Sequence, residues 1–119
     1  LHAAVSGEVV IPPGEWRKIP TGIVVALPGG FEGEIRPRSG LALKHGVTLL
    51  NSPGTIDADY RGEIAVILIN YGREPFPVSR GLRVAQMVVR RVCRVDWDPE
   101  TAPDGTSRGA GGFGHTGAK

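Results

Sequence analysis

The chain has 119 residues and is short of several things that often declare a protein's class. It has one cysteine, Cys93, so no internal disulfide can form. That cysteine reads as a small, buried or half-buried residue in a reduced compartment. With no signal-peptide pattern alongside it, a cytoplasmic location is expected. Neither histidine nor lysine lies near Cys93 in sequence, which argues against a nucleophilic thiolate. No apolar run reaches membrane-spanning length, so no membrane partner is expected. Metal-ligand spacing is missing too: there is no His pair, no Cys set and no carboxylate cluster. Charge of one sign is scarce, with a net value of only +2. A duplex nucleic-acid binder would show a concentrated basic face. The nearest candidate here is Arg80, Arg83, Arg90, Arg91 and Arg94, which reads as a solvated strand edge. No nucleic-acid partner is expected. An initiator methionine is also missing before Leu1, and a preceding N-terminal piece is expected.

What the chain does have is turn formers, with Gly 18 and Pro 10. They punctuate short apolar runs rather than form a tract. Strands are predicted over Val9 to Ile11, Trp16 to Ile19, Gly22 to Leu27, Phe31 to Arg36, Val47 to Leu50, Glu63 to Asn70, Phe76 to Val78 and Val84 to Val95. Phe31 to Arg36 alternates apolar or small residues with charged ones, the period of a half-buried strand. Ser39 to His45 is the one credible helix, with Ser39 as its N-cap and Gly46 to close it. Turn signals recur roughly every 8–12 residues, the spacing of an all-β sandwich or barrel. The expected organisation is a β domain over residues 1–97 and a flexible Gly-rich tail over 98–119. A domain of this size buries a modest core, which makes oligomerisation reasonable.

The densest chemistry lies in Asn51-Ser52-Pro53-Gly54-Thr55-Ile56-Asp57-Ala58-Asp59-Tyr60-Arg61-Gly62-Glu63. Pro-Gly and Arg-Gly mark a hairpin between two apolar strands. A hairpin needs turn residues, but it does not need an amide, acids and an aromatic ring together. Asp57 could serve as a general base toward water, or could be a turn-forming Asp bonded to its own backbone. Asp59 is the competing acid. Tyr60 offers a flat face to a sugar, or is a core tyrosine. Asn51 carries both a donor and an acceptor, as a pyrimidine edge requires. Arg38 is a planar fork suited to phosphate oxygens, or an ordinary surface ion pair. Ser39 and Gly40 open the short helix, where free N–H groups favour an anion. Gln86 interrupts an apolar run, either as a buried amide needing partners or as an outward-facing strand residue. The glycines of the tail would let backbone approach phosphates closely.

Five segments carry this excess of chemistry: Leu1-His2-Ala3; Pro37-Arg38-Ser39-Gly40-Leu41-Ala42; Asn51 to Glu63; Gly81-Leu82-Arg83-Val84-Ala85-Gln86-Met87; and Arg108-Gly109-Ala110-Gly111-Gly112-Phe113-Gly114-His115-Thr116-Gly117. In this order they resemble the five motifs of the trimeric deoxyuridine triphosphatases (dUTPases), from the first residue to the last. The family's acid in motif one precedes the position that matches Leu1, so its role has no residue here. His115 stands where many members have Ser.

The resemblance implies an all-β, jelly-roll-like barrel of the β-clip type, with one short helix, assembled as a homotrimer. It implies dUTP hydrolysis to dUMP and pyrophosphate, which limits uracil in DNA and supplies dUMP. Asp57 becomes the base that aims water at the α-phosphorus. Arg38, Ser39, Gly40 and Gln86 become phosphate or water ligands. Asn51, Gly54, Thr55, Ile56 and Ala65 contact uracil, and Tyr60 packs on the deoxyribose and leaves no room for a 2′-hydroxyl. Arg108 meets the terminal phosphate, Phe113 stacks over the base, and Gly114, His115 and Thr116 complete the tail's contacts. Mg2+ is expected as cofactor, held mainly by phosphates and water. The active sites are expected to be composite: motifs two and four from one subunit, the hairpin from a second, the tail from a third. Two rivals stand beside this reading. One is a dCTP deaminase of related fold, which would carry a Glu on the strand that here reads Ile64-Ala65-Val66-Ile67-Leu68-Ile69. The other is a non-catalytic nucleotide-binding regulatory module.

Overall fold

A computed structural model describes residues 1–99 and 105–112 of the chain. It contains eight short strands and one helix: β1 (Val9–Ile11), β2 (Trp16–Pro20), β3 (Phe31–Arg36), α1 (Ser39–His45), β4 (Val47–Leu49), β5 (Gly54–Ile56), β6 (Ala65–Asn70), β7 (Phe76–Val78) and β8 (Gln86–Arg91). All pairings are antiparallel. They form three small sheets, β1-β7, β2-β6-β4 and β5-β3-β8. The all-β, jelly-roll-like expectation with one short helix is met. The barrel is not one continuous ladder, because turns and irregular segments interrupt the sheets.

The core lies between the sheets. Ile11, Ile19, Val47, Ile64, Leu68 and Val78 are fully buried. Strand β6 sits between β2 and β4, and its Ala-Val-Ile-Leu-Ile run suits a central strand covered on both faces, with Val66, Leu68 and Ile69 buried and Ala65 and Ile67 half-buried. Two glycines let β5 and β3 close up. Gly33 faces Ile56 and Gly54 faces Ile35 across the ladder. A Cβ on either glycine would approach the opposing isoleucine Cβ to 3.2 Å, closer than well-packed carbons prefer.

Several sequence-based boundaries move for physical reasons. Gly22 to Leu27 is not a strand. Gly22 takes φ 69, which turns the chain off the ladder after Pro20, and only the Ile64 N–H to Ile23 carbonyl bond (2.9 Å) continues the pairing. Val84 and Ala85 are buried, but their backbone bonds go to Leu1, so β8 starts only at Gln86. Ser39 is not the N-cap. Arg38 holds that position with extended backbone (φ −96, ψ 122) and no side-chain cap, and Ser39 is the first helical residue. Gly46 closes the helix in the left-handed region at φ 67, as expected. Cys93, expected buried or half-buried, is exposed, because it lies beyond the end of β8 in a stretch that pairs with no strand.

Candidate active site

Three of the five chemically dense segments meet at one end of the β5-β3-β8 sheet. The N-terminal segment pairs with the stretch before β8: Ala3 N–H donates to the Leu82 carbonyl (2.8 Å) and Val84 N–H to the Leu1 carbonyl (3.0 Å). The Leu1 nitrogen donates to the Ala85 carbonyl (2.7 Å). Arg38 then ties this pair to the helix start. Its Nη1 donates to the Arg83 carbonyl (2.8 Å), while its own carbonyl accepts from Leu41 and Ala42 (both 3.1 Å). Gln86 lies opposite Arg36 in the ladder, and its Nε2 donates to the Pro37 carbonyl (3.0 Å). The Gln86 side chain is therefore exposed and tethered beside Arg38 rather than buried. Ser39 and Gly40 are exposed at the same corner, at the start of α1, ahead of the first helical bonds that Leu41 and Ala42 make to the Arg38 carbonyl.

The hairpin is placed differently. It holds a strand that turn chemistry hid: Gly54–Ile56 leaves the β4-β6 hairpin and pairs with β3. Gly54 and Ile56 are buried, while Asn51 and Thr55 are exposed. Half-buried Ala65 opens β6 opposite Pro20. Beyond Ile56, exposed Asp57 and Asp59 border a hollow of about 690 Å³ with Leu27, Phe31, Arg61 and Cys93. Arg38, Ser39 and Gln86 do not line it. Ile56 faces Gly33, near the start of β3, whereas Arg38 lies beyond the strand's end. Five residues separate those levels, on the order of 15 Å along an extended chain. Within one chain, Asp57 borders that hollow, whereas the Arg38 guanidinium is bonded to the Arg83 carbonyl at the other end of the sheet.

Tyr60 is not a core residue. It is 42% exposed and lies back along the hairpin, its hydroxyl donating to the Glu63 carbonyl (2.9 Å). The turn is closed by Tyr60 N–H to the Asp57 carbonyl (3.1 Å). Arg61 Nη1 adds bonds to the carbonyls of Ala58 (2.6 Å) and Tyr60 (2.8 Å). Glu63 has a part that charge alone did not reveal: its Oε1 accepts from the Gly22 N–H (2.7 Å) and ties the hairpin to the loop after β2. Local pattern gave no sign of this, because Glu63 reads as the first residue of the strand expected over Glu63 to Asn70, which begins only at Ala65.

Arg108 donates from Nε to the Gly111 carbonyl (2.8 Å) within its own local turn. Phe113, Gly114, His115 and Thr116 lie outside the described residues. Of the arginines read as a strand edge, Arg90 pairs with Glu34 (2.9 Å), Arg80 bonds the Ala4 and Val5 carbonyls (3.2 and 3.3 Å), and Arg91 lies 5.1 Å over the Phe31 ring. Glu34 also accepts from Arg36 at 2.9 Å. Hydrogen bonds from Arg36 and then Arg90 pull its carboxyl down to about 2. Among the described residues, no helix is long and apolar enough to cross a membrane. Nor does any group of three His, Cys, Asp or Glu stand ready to hold a metal ion.

Comparison with known proteins bears on the same segments. A family profile described as dUTPase matches residues 1–117. A deoxyuridine 5′-triphosphate nucleotidohydrolase of Maricaulis maris (strain MCS10) is 58% identical over 121 residues, covering 100% of this chain and 80% of the relative. One of the same description from Rickettsia felis (strain ATCC VR-1525 / URRWXCal2) is 56% identical over 117 residues, covering 98% and 79%. The Staphylococcus bacteriophage 80alpha dUTPase with dUPNHPP superposes with a TM-score of 0.87 at 24% identity, over 98% of this chain and 83% of that one. That structural likeness speaks for the fold, and the two bacterial relatives speak for the family. Neither rival reading, deaminase or non-catalytic module, draws support from these matches. With its motifs in order along the whole length and its sheets arranged as in a solved dUTPase, this chain belongs to the dUTPase family.

Proposed function

We infer that the protein is a dUTP diphosphatase, converting dUTP and water to dUMP and pyrophosphate. The observation that carries the reading is family membership over the full chain, together with an intact Asn51–Tyr60 hairpin. The site is composite. Arg38, Ser39, Gly40 and Gln86 of one subunit grip phosphates. A neighbour's hairpin holds the base through Asn51, Gly54, Thr55, Ile56 and Ala65, with Tyr60 against the sugar. The tail of a third subunit, residues 98–119, closes over the nucleotide with Arg108, Phe113, Gly114, His115 and Thr116, and the 1–97 domain supplies the rest. Separation of Asp57 from Arg38 within one chain supports this assembly, and so does the small core, which a threefold interface would extend.

Asp57 accepts a proton from water as the water oxygen attacks the α-phosphorus. The bond from that phosphorus to the oxygen bridging to the β-phosphorus breaks, and pyrophosphate leaves with the bridging oxygen. Arg38 and Arg108 face the charge that builds on the phosphate oxygens. Exposed carboxylates such as Asp57 and Asp59 are single oxygen donors, not a cage. That donor set fits Mg2+ held mainly by phosphate oxygens and water. When bound, Mg2+ supplies neutralisation of phosphate charge. The snug hairpin excludes a thymine methyl, and cytosine would leave polar groups unpaired. Pyrophosphate release should be measured with dUTP, dTTP, dCTP and UTP, alongside ammonia release from dCTP. Release from dUTP alone is expected. Ammonia from dCTP, or no turnover of any nucleotide, would overturn the reading.

A further inference from the structure

The geometry points to Gly62 as the residue that sets rejection of ribonucleotides, by fixing where the Tyr60 ring lies. The inference rests on the reading of Tyr60 as the wall beside the sugar. A wall that rejects one extra hydroxyl has to be rigid, because a pocket that can yield discriminates weakly against a small added group. Tyr60 is 42% exposed and lies outside the buried core, so core packing does not hold it.

Two contacts hold it instead. At the tip, the hydroxyl donates to the Glu63 carbonyl at 2.9 Å. Along the side, the ring lies across Gly62. A Cβ there would collide with the Tyr60 hydroxyl and lie 2.6 Å from its Cζ and 3.0 Å from its Cε2. The three nearest atoms to that missing Cβ all belong to Tyr60. Gly62 is not among the glycines with positive φ, so its backbone would accept an L side chain. A methyl group at position 62 therefore meets the aromatic ring first, and the ring cannot move aside without losing the Glu63 carbonyl.

The anchor of that carbonyl is itself fixed. The Glu63 carboxylate accepts from Gly22 N–H at 2.7 Å, and Ile64 N–H donates to the Ile23 carbonyl at 2.9 Å. The Thr21 hydroxyl donates to the Ile64 carbonyl at 2.7 Å. Glu63 is thus a positioning residue at one remove and Gly62 is the direct one. Neither touches the nucleotide in this reading.

The test compares kcat/KM for dUTP, UTP and dTTP in Gly62→Ala. Discrimination against UTP should fall on the order of tenfold or more, and KM for dUTP should rise. Discrimination against dTTP should hold, because Asn51 and Gly54–Ile56, not Tyr60, face the base. A general loosening of the hairpin would lower both ratios together, and that result would overturn the inference, as would unchanged selection against UTP. Tyr60→Phe, which loses only the tip bond, and Glu63→Ala, which removes the acceptor for Gly22 N–H, should shift UTP discrimination in the same direction. They carry the test if Gly62→Ala does not fold, and failure of both to shift it would refute the proposal. Tyr60→Ala separates the two layers. If it loses selection against UTP while Gly62→Ala keeps it, the inference alone fails. If Tyr60→Ala keeps full selection, the sugar-wall reading fails and this inference goes with it.

Discussion

Arg38 and Asp57 stand at opposite ends of the β5-β3-β8 sheet, and that separation makes a quantitative prediction about mixed trimers. In the proposed trimeric site, Arg38→Ala would remove the phosphate grip and Asp57→Asn the base. Removing a positioned general base lowers turnover by about 10²–10⁴-fold, so both parents should be nearly inactive. Suppose the two chains are unfolded together in equal amounts and refolded. If each site takes Arg38 from one subunit and Asp57 from its neighbour, an intact site needs an Asp57→Asn chain in the first place and an Arg38→Ala chain in the second. Random assembly meets both conditions in about one quarter of sites in a closed threefold ring. Pyrophosphate release from dUTP should therefore return to about a quarter of the unmutated rate, far above either parent. The tail is intact in both chains and does not bias the count. If the mixture, shown by native mass spectrometry to hold mixed trimers, is no more active than its parents, both residues act within one chain and the composite site is wrong.

Asp57→Asn should keep nucleotide affinity, measured by calorimetry, while turnover drops by about 10²–10⁴-fold; turnover at the parental rate would remove Asp57 from the mechanism. Asn70 is fully buried, with Nδ2 donating to the Ile11 (2.9 Å) and Glu74 (2.8 Å) carbonyls and Oδ1 accepting from Gly72 N–H (2.8 Å). Asn70→Ala orphans three backbone groups, some within reach of water, and should cost about 3 kcal/mol, read from urea midpoints at matched protomer concentration. Glu34 has its carboxyl held near 2 against an ordinary 4.5, so its ion pairs stabilise the fold above about pH 4.5 and are lost as pH falls toward 2. Glu34→Gln should flatten the acid side of the stability profile in that window; an unchanged acid transition would refute the pairing.

Much was legible in the chain itself. β3 was readable because alternation with period two is a strand's own signature, and α1 because Gly46 is a left-handed stop. The five dense segments were readable because hairpins and tails do not need that chemistry for folding. Other features depend on contacts distant in sequence. Strand β5 was hidden inside a turn-rich run and exists because β3 offers glycine opposite isoleucine. The strand expected at Gly22 to Leu27 fails because Gly22 turns away, a choice settled by its bond to Glu63, 41 positions on.

The order of the motifs thus carried the family resemblance, and residue types and local periods the all-β class and the candidate chemistry, since these depend on neighbours within a turn or a strand. The tertiary structure alone decided that Arg38, Gln86 and the N-terminal segment share a corner, that Asp57 stands at the far end of the sheet, and that Tyr60 lies over Gly62. Those facts come from strand register and backbone bonds between distant positions, which no local pattern encodes.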